Sequence, residues 1–369
     1  MSIRLKKVLR YTSIYGIART LTKVAGRKRG LFIFRPFFFN KDPFIGLLGC
    51  GQFQFSTIAF YLSKYHTNRF YFCYDVNKNN ANSLAGFYKV PHIINNYEDI
   101  FKLQKTKLVY IASNHATHAE YAIEFLKKNV DVFCEKPICV NFNQFDSLLE
   151  TIKNSSASFF AGYNRPYSKA IQKIKSQYKL KNNISKKFTL NCFISAHDIQ
   201  KDHWYRNPEE GTRVCGNIGH WLDLMIHIYN WRGYIPKDFL VQIAYSNKKE
   251  PDDNISISIT TPEGDLTSIT ISSRTEPFEG INETINFQYD TIIAKIDDFR
   301  KITIWDNEKK YTQKYFPKDV GHKRSVMQPF KKENRDLSEV IASTELMLNI
   351  TEMVINTITE KHIILTRKL

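Results

Sequence analysis

The stretch Ile45-Gly-Leu-Leu-Gly-Cys-Gly-Gln52 decides the fold of this 369-residue chain. Its pattern is that of a short apolar strand, a glycine turn and the start of a helix. Gly49 permits a tight turn, and Gly51 lets backbone amides approach a pyrophosphate at the N-terminus of the helix. Gln54 stands where the usual dinucleotide-binding fingerprint has its third glycine. The turn alone therefore fits an ordinary glycine turn equally well, and the surrounding segments distinguish the two.

Strand-like and helical stretches alternate from residue 44 to about residue 163. The strand-like runs are Phe44–Leu48, Phe70–Tyr74, Leu108–Ile111, Val130–Phe133 and Ser158–Gly162. Such alternation predicts an α/β fold with a doubly wound parallel sheet and crossover helices, the Rossmann arrangement.

The pattern changes after this region to runs of β-branched residues, several of them separated by turns. These runs are Lys187–Ala196, Phe239–Ser246, Ile255–Thr261, Leu266–Ser273, Thr284–Tyr289 and Thr291–Ile296. They predict an α+β domain on a mostly antiparallel sheet, with helices near 220–230 and 335–361. The predicted organisation is a basic extension over 1–43, a dinucleotide-binding domain over 44–163 and an α+β substrate and oligomerisation domain over 164–369.

Asp75 supports the dinucleotide interpretation of the glycine turn. It ends the second strand-like run, close to the spacing of ~20 residues expected of a ribose-binding acid. A carboxylate there accepts hydrogen bonds from both ribose hydroxyls and repels a 2′-phosphate, so NAD is predicted rather than NADP. Lys78 favours the phosphate, and a solvated strand-end acid is the alternative interpretation of Asp75. Gln52 and Phe53, directly after the turn, are also predicted cofactor contacts.

The third strand-like run ends in Ala112-Ser-Asn-His-Ala-Thr-His118. In a doubly wound sheet, the loops at the carboxyl ends of the strands face the ligand. Ser113, Asn114 and His118 are therefore predicted to border the nicotinamide ribose. Capping of the next helix by Ser113 or Thr117 is the competing interpretation.

Two further motifs carry groups suited to proton transfer, Glu135-Lys136-Pro137 and Gly216-Asn-Ile-Gly-His-Trp-Leu-Asp223. Hydride transfer to or from an alcohol needs a group that donates or accepts the hydroxyl proton. Lys136 is the candidate donor, and His220, which titrates near neutrality, is the candidate base. Asp223 lies one helical turn after His220 and is placed to orient the imidazole. Taken singly, each is more commonly structural, but together they indicate nicotinamide-dependent chemistry.

Together these motifs resemble the glucose–fructose oxidoreductase, inositol dehydrogenase and rhizopine-catabolism family (Gfo/Idh/MocA) over residues 44 to 361. The resemblance rests on Gly49-Cys-Gly51, Ser113-Asn-His-Ala-Thr-His118, Glu135-Lys-Pro137, Gly162-Tyr-Asn-Arg165 and Gly219-His-Trp-Leu-Asp223. It implies a Rossmann domain, a second domain with a large open sheet, a sugar, cyclitol or nucleotide-sugar substrate, and a homo-oligomer. It also implies that Glu135 and Lys136 contact the nicotinamide cofactor. The stretch from Asp202 to Gly211 is similar to a subgroup associated with alcohol-dehydrogenase-like partners and polysaccharide gene clusters.

This chain departs from the family pattern before the histidine. Many members carry an aspartate four residues before it, where this chain has Gly216, and the subgroup more often has a glutamate three residues before it, where this chain has Asn217. An amide can orient a hydroxyl but cannot take its proton. Asn217 is therefore predicted to complete the catalytic set of Lys136 and His220 in an orienting role.

Substrate contacts are predicted from five residues, which are Arg165, Trp204, Arg206, Arg213 and Asp223. Arginine binds phosphate or carboxylate groups bidentately, and an aromatic face suits a sugar ring. The three arginines favour an anionic sugar derivative, although ordinary surface positions fit each of these residues equally well.

The charge of the chain is unevenly distributed. It has 53 basic and 36 acidic residues, and residues 1–43 contain eleven Lys and Arg against one acid. Apolar residues at helical spacing over 3–25 predict a basic amphipathic helix. Such a helix suits the surface of an anionic membrane, while packing on the protein itself or on a partner is the alternative. Nucleic-acid binding is not predicted, because no zinc spacing, RNA-recognition signature or basic–aromatic array accompanies the charge.

The cysteine pattern and the hydropathy indicate the cellular environment. The six cysteines include no CxxC pair, which predicts reduced thiols, no disulfides and no metal site. No apolar run is long enough to span a bilayer, and a signal peptide is not predicted. We therefore expect a cytoplasmic protein, for which peripheral membrane contact through residues 1–43 and packing of this segment on the protein or a partner stay open as alternatives.

The sequence thus predicts an NAD(P)-dependent sugar or nucleotide-sugar dehydrogenase or reductase, with a role in surface-polysaccharide biosynthesis as one setting. Oxidation–elimination or epimerisation with a recycled NAD is the alternative within enzymes. Two alternatives come from other classes: a non-catalytic cofactor-binding member, suggested by Gly216, Asn217 and Gln54, and a membrane- or partner-binding scaffold driven by the basic N-terminus.

Overall fold

The computed structural model describes residues 2–29, 42–64, 69–181, 187–247, 249, 252–331 and 334–369. The chain divides into two compact units, each with its own sheet. The parallel-sheet unit comprises Tyr15–Gly162, Lys323–Asn334 and Leu369. The mixed-sheet unit comprises Met1–Ile14, Tyr163–His322 and Arg335–Lys368.

Two helices begin the described chain, α1 (Ile3–Tyr15) and α2 (Ile17–Lys28). The single helix predicted over 3–25 is wrong, because Gly16 separates the two with a φ of 83°. That value lies outside the right-handed helical range and is accessible to glycine at little cost. Residues 30–41 of the predicted basic extension lie outside the described residues.

Six strands form the sheet of the parallel-sheet unit: β1 (Ile45–Leu48), β2 (Phe70–Tyr74), β3 (His92–Ile94), β4 (Leu108–Ile111), β5 (Asp131–Cys134) and β6 (Phe159–Ala161). Their order is β3-β2-β1-β4-β5-β6, and all neighbours are parallel. This doubly wound order confirms the predicted fold class. The strands β1 and β4 are buried along their whole length, as expected of central strands covered by helices on both faces.

Four helices follow strands of this sheet: α3 (Ala59–Lys64), α4 (Lys78–Tyr88), α5 (His118–Lys127) and α6 (Phe142–Asn154). One turn of π-helix, Gln54–Ile58, leads directly into α3. The apolar cluster between the helices and the sheet includes Phe55, Phe70 and Tyr88. This core fixes the helix that starts at the glycine turn, because Phe55 lies in that turn of π-helix.

Nine strands form the sheet of the mixed-sheet unit: β7 (Thr189–Ser195), β8 (Asp238–Tyr245), β9 (Asn254–Thr260), β10 (Leu266–Ser272), β11 (Asn282–Tyr289), β12 (Ile292–Asp297), β13 (Lys301–Asp306), β14 (Lys309–Lys314) and β15 (Glu360–Ile364). Their order is β14-β13-β12-β11-β7-β10-β9-β8-β15, and only the β7–β10 pair among these strands is parallel. The predicted α+β domain with a large, mostly antiparallel sheet is therefore confirmed.

The remaining helices are α7 (Lys169–Lys181), α8 (Gly219–Tyr229), α9 (His322–Val326) and α10 (Leu337–Ile355). The C-terminal helix is shorter than the predicted 335–361, because Thr357 takes a φ of 52° and the chain then enters β15. Within α8, all of whose residues are described, His220 alone is not fully buried. The remaining ten residues are buried, so they anchor α8 and fix the position of this histidine.

Candidate active site

The two glycines of the turn have different roles. Gly51 leaves room for a ligand, whereas Gly49 is required by the packing of the protein itself. Gly49 has a φ of 77°, and a β-carbon there would lie 2.5 Å from the carbonyl oxygen of Ala112 at the end of β4. A β-carbon on Gly51 would meet no protein atom within 4 Å. The protein's own packing therefore explains Gly49 but not Gly51. The open space at Gly51 fits a cofactor whose phosphates approach the backbone at the start of a helix.

The residues after the turn point in different directions. The Nε2 of Gln52 donates to the carbonyl oxygen of Lys23 in α2, at 3.2 Å, and Phe53 is partly exposed. Gln54 is fully buried, and neither atom of its amide has a hydrogen-bond partner among the described residues. An unpaired buried amide costs about 1–3 kcal/mol. The place of the missing third glycine is thus occupied by a buried polar group.

Asp75 is bound to the glycine turn through backbone amides. Its Oδ2 accepts from the Cys50 N–H at 2.6 Å, and its Oδ1 accepts from the Asn77 N–H at 2.7 Å. Asn77 in turn caps α4 by accepting from the Asn79 N–H at 3.0 Å. The carboxylate is therefore oriented beside the turn, with lone pairs left for ribose hydroxyls.

His118 lies inside the parallel-sheet unit and connects two loops at the carboxyl ends of strands. Its Nδ1 is 2.7 Å from the carbonyl oxygen of Pro137, and its Nε2 is 3.1 Å from that of Ser113. Burial lowers the pKa of His118 to about 4, although these carbonyl contacts act in the opposite direction. The ring is therefore neutral at pH 7 and positions the loop after β4 against the loop after β5. Thr117 reinforces the first loop by donating to the Ser113 hydroxyl at 2.8 Å.

The Glu135-Lys136-Pro137 loop follows β5 and contains a cis peptide bond before Pro137. Burial raises the pKa of Glu135 to about 8, against the opposing positive charge of Lys136. A β-carbon on Gly162 would lie 2.8 Å from the Cα of Glu135, so β6 closes tightly against this loop. Lys136 itself is partly exposed. The loop therefore presents the lysine from a buried and closely packed base.

Asn217 and His220 lie one turn apart where a turn of π-helix, Val214–Ile218, leads into α8. Such π turns are frequent at functional sites. The Asn217 Oδ1 accepts from the Nε of Arg213 at 3.4 Å. The ring of His220 packs edge-on against Tyr163, with centroids 6.2 Å apart. Arg213 and Asn217 are therefore in contact, and His220 follows Asn217 by one helical turn in the mixed-sheet unit.

The arginines predicted to contact substrate are paired with buried carboxylates. Arg165 binds Glu283 through two contacts of 2.7 and 2.9 Å. Arg213, 1% exposed, donates to Asp253 at 2.7 Å, and Arg206 donates to the same carboxylate at 2.7 Å. These carboxylates therefore neutralise the guanidinium charges within the protein. Contact with substrate remains a prediction for all three.

Asp223 and Trp204 have contrasting surroundings. Asp223 is fully buried and accepts from Arg335 at 2.7 Å and from the Ser343 hydroxyl at 3.3 Å. Burial raises the pKa of Asp223 to about 6, and Arg335 opposes this shift. Trp204 is 40% exposed, and its ring packs against His203 and Tyr205. The substrate role of each remains a prediction.

The structure groups the predicted residues into one set in each unit. The parallel-sheet unit holds Gly49, Gly51, Gln52, Phe53, Asp75, Ser113, Asn114, His118, Glu135 and Lys136, and the mixed-sheet unit holds Arg165, Trp204, Arg206, Arg213, Asn217, His220 and Asp223. Among the described residues, no group of three His, Cys, Asp or Glu side chains is arranged to hold a metal ion.

Sequence reasoning missed three residues that organise these sets, namely Arg29, Glu283 and Arg335. Arg335 and Glu283 are far along the chain from the groups that they bind. A charged residue is rarely fully buried unless it is paired. Buried charges therefore imply partners, but the sequence does not show which residues these partners are. Arg29 belongs to the basic extension in the sequence, and in the structure it donates to the carbonyl oxygen of Cys50 at 2.8 Å.

Comparison with known proteins gives one family match and several relatives. Residues 44–163 match the model of the GFO_IDH_MocA family, described as an oxidoreductase family with an NAD-binding Rossmann fold. The chain is 29% identical over 148 residues to the myo-inositol 2-dehydrogenase of Thermotoga maritima, covering 40% of each protein. It is 23% identical over 207 residues to the glucose-6-phosphate 3-dehydrogenase of Bacillus subtilis, covering 54% of this chain and 55% of that one. The chain thus spans about half the length of these curated relatives.

Solved structures share the fold over most of the chain. A Gfo/Idh/MocA family oxidoreductase from Vibrio cholerae has a TM-score of 0.66 at 15% identity, covering 85% of this chain and 99% of that one. GenD2 from gentamicin A biosynthesis, solved in complex with NAD, has a TM-score of 0.71 at 13% identity, covering 92% of this chain and 100% of that one. At these identities the likeness establishes the fold alone.

Proposed function

We propose that this chain, whose residues 44–163 match the Gfo/Idh/MocA oxidoreductase family model, transfers a hydride between a nicotinamide cofactor and a hydroxyl or keto carbon of a sugar, cyclitol or nucleotide sugar. The observation that carries the proposal is the glycine turn, because Gly51 faces open space that the fold itself does not require. The named relatives that act on inositol and on glucose 6-phosphate support the substrate class. A role in surface-polysaccharide biosynthesis is one setting for such an activity.

The experiment is a search for turnover with purified protein. Absorbance of the reduced cofactor is followed with NAD⁺ or NADP⁺ and a panel of inositols, sugar phosphates and nucleotide sugars. Mass spectrometry of the denatured protein identifies any cofactor that co-purifies. Failure to bind either cofactor at millimolar concentration would refute the proposal.

We propose the following roles for the predicted residues. The bound cofactor supplies the hydride acceptor or donor, and the glycine turn with Asp75 binds its diphosphate and ribose. Lys136 holds or donates the proton at the substrate oxygen, and His220 accepts it during oxidation. Asn217 orients the hydroxyl. Three arginines that are paired with carboxylates contact the substrate, namely Arg165, Arg206 and Arg213. Trp204 provides an aromatic face for the sugar ring, and Asp223 anchors α8.

Asp75 is expected to make NAD(H) bind more tightly than NADP(H). Its carboxylate is fixed beside the turn by two backbone amides, and it would lie close to a 2′-phosphate of the same charge. Asp75→Ala should narrow the difference between the two dissociation constants measured by calorimetric titration. Equal affinity of the wild-type protein for both cofactors, or a preference for NADP(H), would contradict this assignment.

The first half of α1 supports the proposed contact with an anionic membrane. Ile3, Leu5, Val8 and Leu9 are between 38 and 70% exposed, and basic residues lie between them in the sequence. The second half is attached to the mixed-sheet unit, where the Lys318 N–H donates to the Ile14 carbonyl oxygen at 2.9 Å. Among the described helices, none has the length and apolar composition needed to cross a bilayer. A surface contact of this kind combines buried apolar area with attraction to anionic lipid.

Full-length protein is therefore expected to float with phosphatidylserine-containing vesicles at low salt. The double variant Leu5→Glu with Leu9→Glu should stay in the unbound fraction, whereas Ile364→Glu, which also changes an exposed apolar side chain, should float like the wild type. Absence of flotation by the wild type at low salt would show that α1 does not bind membranes.

We also propose that the chain forms a homo-oligomer through the exposed face of the nine-stranded sheet. Side chains of β12 alternate between buried and exposed along the strand. Phe193, Leu266 and Ile293 are each 45–47% exposed on strands of this sheet. Exposed apolar residues that share one sheet favour burial against a second copy. Light scattering should give a mass that is a multiple of the chain mass, and a monomer at micromolar concentration would contradict the proposal.

A further inference from the structure

Arg29 follows α2 and is held against the glycine turn from outside the family match. Its Nη2 donates to the carbonyl oxygen of Cys50 at 2.8 Å. Its Nη1 donates to the Ser83 hydroxyl at 2.7 Å and to the Asn80 carbonyl oxygen at 3.2 Å. The guanidinium therefore joins the turn to α4, the helix that begins shortly after Asp75.

We propose that Arg29 is a cofactor-selectivity residue, which limits the preference for NAD(H) over NADP(H) by offsetting the charge of Asp75 beside the ribose 2′ position. The inference rests on the proposed nicotinamide-dependent function. Asp75 then determines which cofactor is preferred, and Arg29 determines how large the preference is.

Cys50 brings the two charges together. Its N–H donates to Asp75 and its carbonyl oxygen accepts from Arg29, so both side chains bind a single residue of the turn. Burial lowers the pKa of Arg29, and the negative charge of Asp75 acts against that shift. The side chains of Arg29 and Asp75 thus lie within electrostatic range of each other. Where burial lowers the effective dielectric constant, such a pair interacts more strongly than in water.

A guanidinium at this position suits a phosphate. It has five N–H donors, and the three contacts to the turn and α4 use three of them. The planar fork binds phosphate oxygens bidentately, whereas a carboxylate alone would repel them. The 2′-phosphate is the group that distinguishes NADP(H) from NAD(H), so a cation here changes the affinity for one cofactor more than for the other.

Neighbouring residues of α2 are closely packed against the residues after the turn. Burial lowers the pKa of Lys23 to about 8, and repulsion from Arg27 and Arg19 adds to this effect. Gly26 allows α2 to approach closely, because a β-carbon there would lie 2.8 Å from the ring of Phe55. The position of Arg29 is therefore fixed by the packing of the whole helix against the residues after the turn.

The test compares Arg29→Ala with Arg27→Ala in the full-length protein. Arg27 is exposed on the same helix, so its replacement removes the same charge without touching the turn. Dissociation constants for NADH and NADPH are measured by calorimetry. Arg29→Ala should raise the NADPH-to-NADH ratio of dissociation constants by about tenfold or more, the effect of one charge-assisted hydrogen bond. Arg27→Ala should change the ratio by less than about twofold, and Arg29→Lys should restore part of the NADPH affinity.

The outcomes separate this inference from the proposed function. An unchanged ratio with Arg29→Ala, or an equal loss of both cofactors, would overturn the selectivity role and leave the dehydrogenase proposal standing. If the wild type binds neither cofactor, both fail. If Arg29→Ala does not fold, Arg29→Gln takes its place: it removes the charge and keeps hydrogen-bond donors, it should raise the ratio in the same direction, and an unchanged ratio would overturn the role.

Discussion

Replacing Lys136 or His220 with alanine is expected to reduce turnover by roughly 10²–10⁴-fold, the contribution of a positioned acid or base, while cofactor affinity stays nearly unchanged. Lys136 extends from a loop in which the preceding residue, Glu135, is buried and packs closely against Gly162. His220 is the one residue of α8 that is not fully buried. Neither side chain is needed for the core of its unit, so their removal should affect proton transfer and not folding.

The measurement is steady-state turnover on the substrate that the panel identifies, together with NADH affinity by calorimetry. Matched controls are Lys127→Ala and His362→Ala, which remove exposed residues of the same types and should leave both quantities unchanged. Asn217→Asp is the companion variant, because a carboxylate there would supply the acid that the family pattern has nearby. Turnover by Lys136→Ala or His220→Ala at the wild-type level would remove that residue from the catalytic set.

The parallel sheet could be predicted from the sequence because its central strands are short apolar runs between clear turns. The bounds of β2 and β4 agree with the predicted Phe70–Tyr74 and Leu108–Ile111. The missed β3 has only three residues, two of them exposed. The missed β14 is exposed along its whole length. Edge strands of this kind are defined by backbone pairing with a neighbour and carry no hydrophobic pattern.

The candidate site was predictable where one local stretch contains all of its parts, as in the glycine turn and the Glu135-Lys136-Pro137 loop. It was not predictable where a charge is paired over a long distance in the sequence. Arg165 and Glu283 are an example, since 118 positions separate them in the sequence. The position of an arginine in the sequence does not indicate whether its side chain binds a substrate or a buried carboxylate.

Gly51→Val is expected to weaken binding of both NAD(H) and NADP(H) by at least about 10–100-fold, the equivalent of losing one charge-assisted hydrogen bond to the diphosphate. The physical reason is that a side chain at Gly51 would enter the space that the protein leaves open. Because Gly51 is not among the glycines with positive φ, a β-carbon is also compatible with its backbone. The free energy of unfolding should therefore change by less than about 0.5 kcal/mol in Gly51→Ala.

Gly49→Ala is the matched control, because it places the same methyl group two residues earlier in the turn. Here the φ of 77° and the 2.5 Å approach to the Ala112 carbonyl oxygen both oppose a β-carbon. We expect a loss of roughly 1–3 kcal/mol in the free energy of unfolding, measured by urea denaturation. The two glycines thus separate a ligand requirement from a folding requirement. If Gly51→Val bound both cofactors as tightly as the wild type, the open space at the turn would not be the cofactor site.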